Sequence, residues 1–434
     1  MKLAPLALLS ALAAVPSVAQ QAPPAPVAVA PAAMPTTAPK LLVVISVDQF
    51  SADLFAQYRR HFTAGFARLQ DGAVFPSGYQ SHAATETCPG HSTITTGDRP
   101  ARTGIIANDW VDLKTAREDK TVYCAEDESV PGSTSSDYTV SDKHLLVPTL
   151  GERMKAANPA SRVVSIAGKD RAAVMMGGHT VDELWWWNGK AYVSYAGRDV
   201  PSAISGGNAA VAAQIAQAQP GLTVPPACSA ADHAVAIGAG KSVGNGHFAR
   251  AAGDARAFRA SPEFDGATLA LAAALIRDMK LGQGSAPDII TVGASATDYV
   301  GHTYGTEGAE MCLQLLSLDR DLGDFFGMLD RTGVDYAVAL TADHGGTDLP
   351  ERHREDGVPG AVRADANLNA KTIGIAIAAR LGLKGQLLWG GNFGDIWIDP
   401  ALTKAKLFVK QPGKSYVKLT PAVHAKIAAG ELRL

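Results

Sequence analysis

KLLVVISVD, residues 40–48, is an apolar, β-branched run that stops at a carboxylate. A strand with one wet face alternates apolar and polar residues; this one does not. It therefore reads as a strand buried on both faces of a parallel sheet, with Asp48 where the chain emerges. Just beyond, Phe50, Leu54, Tyr58, Phe62 and Phe66 recur every four residues, which predicts a helix over 50–69 lying on that sheet. Strand followed by helix is the signature of an α/β fold.

The same pattern returns along the chain. RVVSIA (162–167) closes in Gly168-Lys169-Asp170-Arg171, DIITV (288–292) runs towards Asp298 and His302, and YAVALT (336–341) delivers Asp343-His344-Gly345-Gly346. Helices are predicted over 148–157 and 265–280. Another follows from Met311, Leu315, Leu318, Leu322, Phe325 and Leu329, spaced alternately four and three and closed by Gly333. Between Asp182 and about Ala260 the character changes. Trp185 to Val193 reads as a hairpin about Asn188-Gly189, with the tryptophans as packing. A Gly/Ala/Pro-rich stretch follows, with a helix near 208–218. We read about 182–260 as an inserted cap region on a mostly parallel sheet with helices on both faces. A helix over 369–381 and a hairpin over 387–398, about Gly390-Gly391-Asn392, complete the pattern, without an internal repeat.

The 434 residues, 47% hydrophobic with a formal net charge of −3, suffice for a large core plus an insertion. With no basic run, nucleic acid is not expected as the main partner. Residues 1–19 read as a cleavable signal peptide, with Lys2 ahead of an apolar run too short to span a membrane in the mature protein. Residues 20–39 read as an Ala/Pro-rich linker, and 40–434 as the folded domain. Export to a bacterial periplasm or beyond would let Cys88, Cys124, Cys228 and Cys312 pair in any of three connectivities. No CxxC spacing suggests a thiolate zinc site.

Four strands thus end in polar residues: Asp48, the Lys169/Arg171 pair, Asp298 with His302, and Asp343 with His344. In an open parallel sheet the carboxyl ends of the strands share one rim, where ligands bind. Asp and neutral His together suit a borderline cation such as zinc. Thr87, ahead of Pro89-Gly90, supplies a hydroxyl; a helix starting at Ser92 would turn its free amides on it and favour an anion. That hydroxyl needs a metal or base to become a nucleophile. His91 reads as a hydrogen-bonding residue of the loop.

These residues carry a resemblance to the alkaline phosphatase superfamily, nearest the bacterial phosphate-irrepressible type with a threonine nucleophile. The matching pieces are Val47-Asp48, Thr87-Cys88-Pro89-Gly90-His91 with Thr96-Gly97, Gly104 to Asn108, Lys169-Asp170-Arg171, Asp298 to His302, and Thr341 to Gly346. The resemblance implies an alkaline-phosphatase-like core and two zinc ions. One would be held by Asp48, Asp343, His344 and the Thr87 oxygen, the other by Asp298, His302 and a further histidine. Asn108, Lys169 and Arg171 would hold the phosphoryl oxygens of small phosphate esters, and the phosphoryl group would pass to Thr87.

One departure stands out. The family's last histidine lies in a Gly-rich segment beyond the Asp-His pair, and after Gly346 only His353 and His424 remain, in other contexts. We expect a chain whose carboxyl-terminal part is missing. An exported phosphomonoesterase is the first expectation. A nucleotide pyrophosphatase/phosphodiesterase is the alternative, and a metal-binding relative without turnover the third. Two cations at the phosphoryl group favour a monoester, which carries one more negative oxygen. A sulfatase is disfavoured because Cys88-Pro89 runs into Gly90-His91 without that family's Cys-x-Pro-x-Arg pattern.

Overall fold

Strand β1 (Leu41–Val47) sends Leu41, Val43, Ile45 and Val47 into one hydrophobic cluster and Val44 into another, so both of its faces are covered. Each such side chain taken from water contributes roughly 1.5–3 kcal/mol. Five further strands share this sheet: β2 (Val163–Ala167), β3 (Glu183–Trp187), β4 (Tyr192–Val193), β5 (Asp288–Ala294) and β6 (Tyr336–Thr341). Their order is β6-β1-β5-β2-β3-β4, parallel throughout except for the β3–β4 hairpin. The computed structural model describes residues 38–399 except 77, 381–382, 384 and 391–395, together with the backbone of 408–409 and 417–418.

Helices cover both faces, as the doubly buried strands require. Helices α1 (Thr87–Thr96) and α2 (Asp170–Gly177) pack on one side; α3 (Pro262–Asp278) and α5 (Ala309–Thr332) pack on the other, beside α4 (Ala296–Tyr304). The register places Val47 of β1 opposite Ala294 of β5, and Ala167 of β2 opposite Gly293. The residues that follow β1, β2, β5 and β6 therefore emerge side by side on one rim.

The helix predicted over 50–69 is broken into a helix at Ala52–Tyr58, a 3-10 turn at Arg59–His61 and a helix at Gly65–Gln70. The cause is Asp319 on α5. Its carboxylate accepts the backbone N–H groups of Thr63 (2.7 Å), Ala64 (2.9 Å) and Phe66 (2.8 Å), caps the second helix from outside and turns the chain there. Phe50, Phe62 and Phe66 still meet, with ring centroids 5.2 and 4.5 Å apart along the series. The period of four marked a buried face, and a distant carboxylate decided its continuity.

The hairpin at Trp185 to Val193 pairs with β2 and so belongs to the central sheet. Trp185 and Trp187 pack into one cluster and Trp186 into the other, so the tryptophan run is core. Beyond it, a helix at Ser202–Ile215 begins six residues before the predicted start and packs against α3. The cysteines pair as Cys88–Cys124, tying α1 to the segment after the hairpin Asp109–Val111/Thr121–Tyr123, and as Cys228–Cys312, tying the 3-10 turn Pro226–Ala231 to α5. Leu388–Trp389 pairs with Trp397–Ile398, and a helix runs over Ala370–Arg380. Gly391, Asn392, His424, the segment 1–19, the linker up to residue 37 and the chain end lie outside the described residues.

Candidate active site

Thr87 opens α1 and is buried. The helix starts five residues ahead of the predicted Ser92, because Pro89 sits in its first turn, where a missing N–H breaks no helical bond. Of the first-turn amides, those of Cys88 and Gly90 are already engaged. The Cys88 N–H donates to Asn108 Oδ1 (2.8 Å), Pro89 has none, and the Gly90 N–H donates to the Glu86 carbonyl (3.0 Å). The Thr87 N–H, at the start of the helix, remains beside the side chains as a donor that suits an anion. Asn108 is pinned at both ends, its own N–H donating to Glu86 Oε2 at 2.6 Å and its side-chain oxygen occupied by Cys88. That arrangement leaves the amide nitrogen as its donor.

Lys169 caps β2 and reaches across the rim. Its Nζ lies 3.3 Å from Thr87 Oγ1 and 2.6 Å from both Asp48 Oδ2 and Asp298 Oδ2, in a fully buried setting. Burial alone would lower its pKa, but the Asp298 and Asp48 carboxylates outweigh that and hold it above its ordinary value. Lys169 is thus a fixed cation, and not the solvated surface charge that this residue type usually is. Arg171, at the start of α2, is half-buried. Its Nη1 lies 3.3 Å from the Tyr123 hydroxyl, which donates to Asp170, while its Nε is buried without a partner.

Around these groups stand Asp48, Asp298 and Asp343, all buried. His344 Nε2 lies 3.3 Å from Asp48, 3.5 Å from Asp343 and 3.9 Å from Asp298, so it sits among all three carboxylates. Burial would lower the His344 pKa, but Asp343 and Asp48 raise it to about 10. Burial likewise would raise the Asp343 carboxyl, yet His91 and His344 hold it well below the usual carboxylate range. His91 Nδ1 lies 2.9 Å from the Thr87 carbonyl and 3.1 Å from Asp343 Oδ2, on α1 rather than in a loop. His302 lies at the margin: four residues after Asp298 on α4, it places Nε2 3.2 Å from Asp298 Oδ1 with most of its ring exposed. His353, on the helix Pro350–Glu355, joins none of this.

The donor set fits a metal. Asp48, His91 and Asp343 offer ligand atoms all within 4.8 Å of one another, as do Asp48, Asp298 and His344. Neither Asp48 oxygen accepts a well-directed hydrogen bond, nor does Asp343 Oδ2. Three buried carboxylates face the Lys169 ammonium and, without metal, a protonated His344, which still leaves an excess of buried negative charge that a cation would offset. Oxygen and imidazole donors together suit a divalent ion.

Sequence reasoning missed Gln49. Its backbone N–H donates to Asp343 Oδ1 (3.0 Å) and its side-chain nitrogen to Asp298 Oδ1 (3.1 Å). Glu86 and Tyr123, which hold Asn108 and Arg171, were missed as well. No spacing in the sequence signals them.

The profile of the type I phosphodiesterase/nucleotide pyrophosphatase family matches residues 42–389. The chain is 55% identical over 401 residues to the alkaline phosphatase PhoK of a Sphingomonas species, covering 91% of this chain and 72% of that protein. It is 47% identical over 408 residues to the alkaline phosphatase PhoD of Zymomonas mobilis, covering 92% and 70%. Among solved structures, the wild-type alkaline phosphatase PafA superposes with a TM-score of 0.72 at 26% identity, covering 86% of this chain and 74% of that one. Fold, rim and relatives agree, and the chain belongs to the alkaline phosphatase superfamily, within the type I phosphodiesterase/nucleotide pyrophosphatase family, as a phosphoric monoester hydrolase.

Proposed function

We propose that this hydrolase is an exported enzyme that cleaves small phosphate monoesters through a phosphothreonine on Thr87, with two zinc ions at the rim. Asp48, Asp343 and His344, with the Thr87 oxygen, would hold one ion; Asp298 and His302 would contribute to the other. Bound zinc supplies Lewis acidity, lowering the pKa of the hydroxyl it touches and offsetting charge on the reacting oxygens. The Thr87 hydroxyl gives its proton to solvent and its oxygen bonds to phosphorus as the bond to the alkoxide breaks; the alkoxide takes up a proton from solvent and leaves as the alcohol. Water then cleaves the phosphothreonine to give inorganic phosphate and restore the hydroxyl.

The observation that carries this reading is the buried Lys169 ammonium 3.3 Å from Thr87 Oγ1. A fixed cation beside the nucleophile stabilises the non-bridging oxygens of a transferring phosphoryl group and needs no reorganisation. The Asn108 amide nitrogen and the Arg171 guanidinium would share that load. Among the described residues no helix is long and apolar enough to cross a membrane.

The test uses zinc-replete protein with p-nitrophenyl phosphate and its bis-ester. Thr87→Ala is expected to abolish covalent labelling by phosphate. Lys169→Ala is expected to lower kcat/KM on the monoester by roughly 100-fold or more, with a much smaller loss on the diester. Equal losses on the two esters would shift the reading to a phosphodiesterase. Hydrolysis of neither by wild-type protein would leave a metal-binding relative without turnover.

A further inference from the structure

Gln49 follows Asp48 at the end of β1 and is buried, with a backbone φ of 67°. A non-glycine residue in this left-handed region is uncommon and is held there only by its surroundings. Those surroundings are explicit. Its backbone N–H reaches Asp343 on the loop after β6, and its side-chain amide reaches Asp298 on α4, so one residue spans two strand ends. Two glycines make room for it. A Cβ on Gly301 would run into Gln49 Oε1, and one on Gly346 would lie 2.8 Å from Gln49 Cδ. Gly301 sits between Asp298 and His302, and Gly346 two residues past His344.

The bonds divide each carboxylate in two. Asp298 Oδ1 takes the Gln49 amide and faces His302, leaving Oδ2 towards Lys169. Asp343 Oδ1 takes the N–H groups of Gln49 and His344, leaving Oδ2 towards His91 and the His344 ring. Asp343 thus commits Oδ1 to the backbone and turns Oδ2 to the rim, whereas in Asp298 the oxygen that takes the Gln49 amide is also the one that faces His302 and His344, so Gln49 acts directly on it.

We propose that Gln49 is a positioning residue that fixes the distance and rotation of Asp298 and Asp343 and so sets the affinity of the rim for metal. This rests on the reading that these carboxylates hold metal ions. Outer-shell partners of ligating carboxylates are worth roughly 10- to 100-fold in metal affinity.

The experiment measures zinc dissociation constants by competition with a chromophoric chelator for wild type, Gln49→Met and Gly301→Ala, alongside the thermal midpoint of each metal-free protein. Gln49→Met keeps the length and packing of the side chain and removes its amide. Gly301→Ala leaves Gln49 in place and pushes its amide aside. Both are expected to weaken zinc binding roughly 10- to 100-fold, while the metal-free midpoint of Gln49→Met stays at the wild-type value. Wild-type affinity in both variants overturns the positioning role. Absence of zinc binding by wild type itself overturns the metal reading instead, so the two failures are distinguishable.

Discussion

Asp265 shows how a single residue behind the rim couples to pH. It is fully buried on α3, where Oδ1 accepts the Ala296 N–H at the start of α4 and Oδ2 accepts the Gln314 amide. Burial raises its pKa from 3.8 to about 7, with Asp321 and Asp48 adding to the rise. The neutral acid has a partner in waiting, because Gln314 Oε1 is buried without one and accepts the proton once the amide turns over. A folded-state pKa above the unfolded one means that the folded protein binds the extra proton. Asp265 therefore contributes stability that is complete below pH 4 and is lost as pH rises through about 7. In metal-free protein, Asp265→Asn is expected to flatten this dependence and gain on the order of 2 kcal/mol over wild type at alkaline pH. Urea denaturation across the pH range reads it, and parallel curves would refute it. At this scale the sequence disclosed residues whose charge stands out at a strand end, namely Asp48, Lys169, Asp298, Asp343 and His344. Gln49 carries no charge, and its partners lie 249 and 294 residues away, so no local pattern could reveal it.

Among the elements, α1 is the one on whose placement the proposed chemistry depends. Gly90 lets it approach the segment after β6 closely, since a Cβ there would run into the Asp343 carbonyl oxygen and lie 2.7 Å from the Asp343 carbonyl carbon. Gly90→Ala must push helix and segment apart, carrying Thr87 away from Asp343. We expect it to cost about 1–3 kcal/mol and to lower turnover at least roughly tenfold, because small misplacements of a nucleophile cost rate steeply. Thermal melts and steady-state kinetics measure the two effects. An unchanged kcat would show that the helix position is not critical. The strands and the long helix α5 were readable because burial on two faces, or on one, leaves a period in the sequence. The break after Phe62 was not, because its cause is Asp319 on another helix. The pairing of the cysteines was equally out of reach, since connectivity depends on where loops meet.

For the molecule as a whole, the rim concentrates negative charge. With Asp48, Asp298 and Asp343 buried around Lys169 and His344, removing a bound cation leaves three carboxylates against two protein cations in a poorly solvated site. Dialysis against a chelator is therefore expected to lower the thermal midpoint and abolish activity, and added zinc to restore both. Saturation at about 100 times the dissociation constant corresponds to about 2.7 kcal/mol. A midpoint indifferent to chelator would contradict a metal at the rim. The sheet order has a consequence in time. Strand β1 leaves the ribosome first, yet both its neighbours, β5 and β6, lie far downstream. At about 5–20 residues per second, the roughly 240 residues that separate β1 from β5, the earlier of the two, take about 12–48 s to synthesise. Throughout that interval the most apolar segment of the sheet has no native mate, so the nascent chain has to be shielded until its last third appears.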